Sequence, residues 1–136
     1  MIMKLFIGVR GSGKTKQLIE LVNQAASESA GSVICVENGN KLNFDVTYKA
    51  RLIDASKYGI DNADKLLGFL SGISASNHDI THLFIDSALK ICKNDIEALA
   101  NIMDAVEVLS KDGNFECVMT ISADIAECPE AIQKYL

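Results

Sequence analysis

Proline occurs once in this 136-residue chain, tryptophan not at all, and arginine only at positions 10 and 51. With so little proline and no biased tract or internal repeat, nothing marks a linker or a disordered tail. One domain spanning residues 1–136 is expected. No stretch approaches the roughly 20 consecutive apolar residues of a membrane span. The apolar start, Met1 to Ile7, is too short for the core of a signal peptide and runs straight into glycines. A cytoplasmic protein without a membrane partner is the expectation.

Basic residues are also in short supply. Thirteen Lys and Arg face eighteen Asp and Glu, a formal charge of −5, and the basic positions are scattered along the sequence. Proteins devoted to nucleic acid usually carry a basic stripe, so nucleic acid is disfavoured as a partner. The four cysteines, Cys35, Cys92, Cys117 and Cys128, form no CxxC pair and no Cys/His spacing suited to zinc. Cys35 and Cys117 lie in apolar runs, where a reduced cysteine acts as a small hydrophobe. His78 and His82 lack a second ligand at metal spacing.

What is present is an alternation of apolar runs and amphipathic segments. Residues 2–7, 32–37, 81–86 and 115–122 read as buried strands. Lys14 to about Glu28 carries Leu18, Leu21, Val22 and Ala25 at helical spacing, with Gly31 placed to end that helix. Residues 38–43 form a turn-rich loop. Phe44 to Ile53 alternates, with Phe44, Val46, Tyr48 and Leu52 on one side, and predicts a half-exposed edge strand. Asp61 to Ile73 is a second helix. A third is capped by Asn94, with Glu97 three residues on, and presents Ile96, Leu99, Met103, Val106 and Leu109. Asp112-Gly113 stops it, and Pro129 begins a short last helix. The pattern predicts an α/β fold, a three-layer α/β/α sandwich around a mainly parallel sheet. In such sheets ligands bind beyond the carboxyl ends of the strands. The loop after residue 7, Glu37, Asp86 and Ser122 all fall there.

The loop itself, Gly8-Val9-Arg10-Gly11-Ser12-Gly13-Lys14-Thr15, matches G-x-x-x-x-G-K-[ST] in full, between a predicted strand and a predicted helix. Its glycines let successive backbone N–H groups turn inward on phosphate oxygens, and the helix adds the positive end of its dipole. Lys14 is placed to reach the β- and γ-phosphates and Thr15 to offer its hydroxyl to Mg²⁺. Gly8, Arg10, Gly11, Ser12, Gly13, Lys14, Thr15 and Lys16 are the candidate nucleotide-binding residues of this stretch. Arg10 could touch phosphate or a neighbouring subunit. Asp86, closing the run Leu83-Phe84-Ile85, is the second metal-site candidate beside Thr15. Many NTPases with this loop carry glutamate directly after that aspartate, whereas this chain has Ser87. Glu37 is the substitute candidate for orienting or deprotonating an attacking water, with Lys14 the other catalytic candidate.

On these residues the chain resembles the P-loop NTPases, with features of their RecA/KaiC-like branch. The acid ending the strand after the P-loop helix (Glu37) and the serine after the metal-site aspartate (Ile85-Asp86-Ser87-Ala88-Leu89) carry that likeness. The resemblance implies a P-loop NTPase fold over residues 1–122. It also implies a polar sensor, Ser122, near the γ-phosphate. The chain is much shorter than a RecA-type motor and leaves little room for DNA-binding loops.

The function expected is ATP binding with Mg²⁺, as an ATPase or an ATP-driven switch. One alternative is a non-hydrolysing nucleotide-binding module completed by a partner, since the glutamate after Asp86 is missing and no arginine finger is evident. In either case a homo-oligomer or protein partner could supply an arginine. A small-molecule kinase fits less well, because only Arg51 follows the loop and no lid insertion is visible. A GTPase fits least, since no Asp-x-x-Gly follows the loop and Asn40-Lys41-Leu42-Asn43 lacks a guanine-reading aspartate. ATP is therefore the expected base by elimination. Loop 38–43 and residues 76–80 are the expected flanks of the pocket.

Overall fold

In the computed structural model, which describes residues 3–136, strands and helices alternate along the chain. Met3–Gly8 forms β1, Lys14–Glu28 α1, Ser32–Glu37 β2 and Arg51–Asp54 β3. Ala63–Ser76 follows as α2, Ile80–Ile85 as β4 and Ala88–Ile91 as the short α3. Ile96–Gly113 is α4, Glu116–Ser122 β5 and Glu130–Gln133 α5, entered through Pro129 as predicted. Ile2, the predicted first residue of the first strand, lies outside the described residues, as does Met1.

The five strands form one sheet in the order β1-β5-β4-β2-β3, and every pairing is parallel. Alternation along each strand divides the apolar side chains between two clusters. Val33, Cys35, Phe84 and Val118 meet Leu18 and Val22 of α1 on one face. Ile34, Val36, Leu83, Ile85, Cys117 and Met119 meet Leu66 and Leu70 of α2 and Leu99 and Met103 of α4 on the other. Helices thus cover both faces, compatible with a three-layer α/β/α arrangement. Leu18 and Val22 are fully buried, each contributing roughly 1.5–3 kcal/mol relative to exposure. The four cysteines are free and buried. None of the helices among the described residues is long and apolar enough to cross a membrane.

Parallel pairing brings the carboxyl ends of all five strands to one edge. Gly8 pairs with Ser122, Glu37 with Asp54, and Val36 with Ile85. Residues 76–80, expected beside the pocket, lie at the opposite edge instead. They lead into the start of β4, where the Asp79 carbonyl accepts a hydrogen bond from Ser32 N at 2.7 Å.

Several local expectations need correction. β1, an edge strand, is less buried than expected: Leu5 is buried, while Met3 and Ile7 against one cluster and Phe6 against the other are only partly covered. The predicted strand over 44–53 is reduced to Arg51–Asp54. Residues before it coil through consecutive turns, with Val46 N bonded to Leu42 O and Ala50 N to Thr47 O. Burial there recurs every fourth residue, at Leu42, Val46 and Ala50, while Phe44 is 99% and Tyr48 91% exposed. Asn23 of α1 fixes the path, donating to Asp45 O and accepting from Thr47 N, both at 2.8 Å. Asp95 rather than Asn94 caps α4, accepting from Ala98 N at 3.1 Å. Asn94 has φ 63° and belongs to the preceding turn.

Gly31 does not end α1, which closes at Ser29 with an extended backbone. Its role is close approach. A Cβ there would stand 2.2 Å from the Asp79 carbonyl oxygen and 2.7 Å from Thr81 Cγ2. Gly31→Ala is therefore expected to force apart the start of β2 and β4, at a cost of about 1–3 kcal/mol. Urea unfolding should show a lower midpoint. An unchanged midpoint would mean that this edge yields without strain.

Candidate functional site

At the carboxyl edge of the sheet the chain leaves β1 into the glycine loop. Gly11 and Gly13 adopt φ 85° and 90°, the left-handed region that costs a side-chain-bearing residue most. Gly13 is the N-cap of α1, and no side chain caps its first turn. The leading N–H groups of α1 are thus left facing outward. Gly8 stays in β1 and its carbonyl accepts from Ala123 N at 3.1 Å, tying the loop's base to the end of β5.

Lys14 is 8% exposed and lies back along the loop. Its Nζ donates to Val9 O at 3.0 Å and to Ser12 Oγ at 3.4 Å. Burial holds its pKa below the ordinary lysine value, and the nearby Asp86 charge opposes that shift. Seventy-one residues from Thr15 in sequence, Asp86 follows β4 and is 6% exposed. Thr15 Oγ1 donates to Asp86 Oδ1 at 3.1 Å. The two metal-site candidates therefore stand side by side.

Thr120, which sequence reasoning missed, completes this corner. It is 1% exposed in β5, donates from Oγ1 to Asp86 Oδ1 at 2.9 Å, and accepts from Ser87 N at 2.7 Å. Ser87 Oγ donates to Asp86 Oδ2 at 3.2 Å. Ser87 itself has φ 57° and ψ 49°, a strained conformation for a non-glycine residue. The bond from Thr120 helps to hold it and turns the chain into α3. The only prior signal was a single hydroxyl inside the apolar run Cys117-Val118-Met119-Thr120-Ile121.

A cleft of about 840 Å³ opens over this corner, within the range of small-molecule sites. Glycine-loop residues Val9 to Lys16, except Ser12, line one wall, and Asp86, Ser87 and Ser122 stand at the strand ends. Lys41 and Leu42 come from the loop after β2, with Leu89 and Lys90 from α3. Ser122, the expected sensor, is exposed and lines the cleft. Ser12 and Gly8 do not line the cleft.

Glu37 is also set back. It is 3% exposed, and its carboxylate accepts from Lys41 N at 3.1 Å and Leu42 N at 3.3 Å. Burial raises its pKa, with those two backbone bonds pulling the other way. At the end of β3, paired with Glu37, Asp54 accepts from Gly39 N at 2.8 Å and from Ser56. The loop after β2 is thus pinned at its start by two carboxylates.

Scattered in sequence, the cations converge in space. Arg10, Lys14, Lys16, Lys41 and Lys90 all line the cleft, against the single carboxylate of Asp86. In a chain of net charge −5 this is a local field suited to a compact polyanion. Among the described residues, no group of three or more His, Cys, Asp or Glu side chains is arranged to hold a metal ion. One hydroxyl and one carboxylate do suit Mg²⁺, which keeps several waters and takes its other oxygens from phosphate. No protein-family model matches the chain, and comparison with curated proteins finds no match.

Proposed function

We infer that the chain is a P-loop nucleotide-binding protein of the RecA/KaiC-like kind, taking ATP with Mg²⁺ and hydrolysing it or switching on it. The observation that carries this reading is the 3.1 Å contact between Thr15 and Asp86. It joins the loop motif to a strand-end acid at a buried corner, beneath a cation-lined cleft. Phosphates would lie along the glycine loop, held by its amides and Lys14, with Ser122 and Arg10 at the margin. Thr15 and Asp86 would hold Mg²⁺ or its waters, and the ion would supply charge neutralisation across the phosphates. Amides and Lys14 are fixed before ligand arrives, the arrangement that favours charge developing on phosphate oxygens.

Glu37 is the water-orienting residue on this reading. Two of its roughly four lone-pair sites remain after the Lys41 and Leu42 bonds. Its raised pKa makes it a better base near neutrality than a free carboxylate. Phosphate release from Mg-ATP tests the proposal. Glu37→Gln is expected to keep ATP binding and lower turnover by about 100-fold or more. Unchanged turnover would remove Glu37 from the mechanism.

The attachment of Glu37 to its own loop also favours a second reading, a nucleotide-binding module that does not hydrolyse alone. Tight ATP binding with no phosphate release would select it, and a partner, or a second copy, would then complete the site.

A further inference from the structure

Lys41 and Lys90 reach the cleft from two different elements, the loop after β2 and the short helix α3. Neither position is loosely set. Lys41 N is bonded to buried Glu37. α3 hangs between left-handed residues, Ser87 before it and Lys93 and Asn94 after it, with Ser87 N tied to Thr120. Lys41, the neighbour of Lys90 across the cleft lining, holds the Lys90 pKa below the ordinary lysine value. Elsewhere among the described residues, Lys65, Lys111 and Lys134 each pair with a carboxylate. Lys41 and Lys90 have no such partner there. Two cations lining one cleft without a salt-bridged carboxylate make a receptor for an anion.

Resting on the nucleotide reading above, we propose that Lys41 and Lys90 clamp the terminal phosphoryl group of the nucleotide and so select triphosphate over diphosphate. Thr15 and Asp86 would hold Mg²⁺ beside the phosphates along the glycine loop, and Lys41 and Lys90 line the same cleft from elements outside that loop. Lys14, inside the loop, serves both nucleotides. The discrimination then comes from lysines of this same chain.

Calorimetric titration with Mg-ATP and Mg-ADP tests the clamp. The double variant Lys41→Gln/Lys90→Gln is expected to lose about 10-fold or more in ATP affinity while ADP affinity stays within about twofold. Both lysines are exposed, so the fold should persist, checked by its melting temperature. A Lys41→Arg/Lys90→Arg variant should retain the preference for ATP. Equal losses for ATP and ADP, or no loss for either, would overturn the clamp while leaving the nucleotide site standing. Failure of the unaltered protein to bind either nucleotide would overturn the reading beneath it as well.

Of the charged neighbours of Lys90, Lys41 and Arg10 lower its pKa and Asp86 raises it. Bound phosphate favours the Lys90 ammonium, so its pKa is higher in the complex than in the free protein. The preference for ATP is full below the free-protein pKa and fades as pH rises through the bound one.

Discussion

Lys14→Ala is expected to lower ATP affinity by about 100-fold or more, to the edge of detection by calorimetry. A charge-assisted hydrogen bond in a partly desolvated site contributes about 1.5–3 kcal/mol, and about 2.7 kcal/mol corresponds to 100-fold. Lys14 stands at the upper end for two reasons. It is 8% exposed, so water screens it weakly. It is also held by Val9 O and Ser12 Oγ, so little side-chain entropy is lost when phosphate replaces those acceptors. The fold should survive, because alanine removes a buried charge whose position burial already opposes. ATP and ADP should suffer alike, unlike the response at Lys41 and Lys90. Binding within threefold of the unaltered protein, with an unchanged melting curve, would mean that the loop is a structural turn and not a phosphate site.

Asp86→Asn is expected to separate nucleotide binding from its Mg²⁺ dependence. The amide keeps the size of the carboxylate, and its oxygen can still accept from Thr15 and Thr120, which both donate to Oδ1. The nitrogen can donate to Ser87 Oγ, so the corner should remain assembled. What disappears is the only carboxylate lining the cleft among the described residues. Loss of an outer partner of a bound metal typically weakens it by about 10–100-fold. A Mg²⁺ titration of phosphate release should therefore shift to higher concentration by about that factor. If the variant binds without hydrolysing, the same shift should appear in Mg²⁺-dependent ATP affinity. A titration that coincides with the unaltered protein would remove Asp86 from the metal site.

These two residues were also the most legible in the sequence, for a physical reason. Lys14 is embedded in a local pattern whose glycines exist to shape backbone, and Asp86 ends an apolar run that only a buried parallel strand explains. Strand order and extent were less legible. The apolar run of β1 suggested burial on both faces, but a run records hydrophobicity and not the number of neighbours. Over 44–50 the alternation of polar and apolar residues mimicked a strand. Burial in fact follows Leu42, Val46 and Ala50, and the two most apolar-looking positions, Phe44 and Tyr48, face solvent. Asn94 and Asp95 are both capable caps, and only the backbone decides between them. Thr120, Lys41 and Lys90 left almost no trace. A buried hydroxyl in a strand and two surface lysines acquire meaning only when the sheet brings β5, the loop after β2 and α3 to the same edge.

The position of β1 has a consequence for how the protein comes into being. Its sole sheet neighbour is β5, and Met3 lies opposite Cys117. Strand pairings this distant in sequence form late, because the intervening chain must first be brought into order. During synthesis the glycine loop precedes β5 by most of the sheet, and β1 has no sheet neighbour to anchor that loop until β5 has been made. The glycine loop is therefore exposed long before its cleft exists, and maturation of that cleft waits on β5.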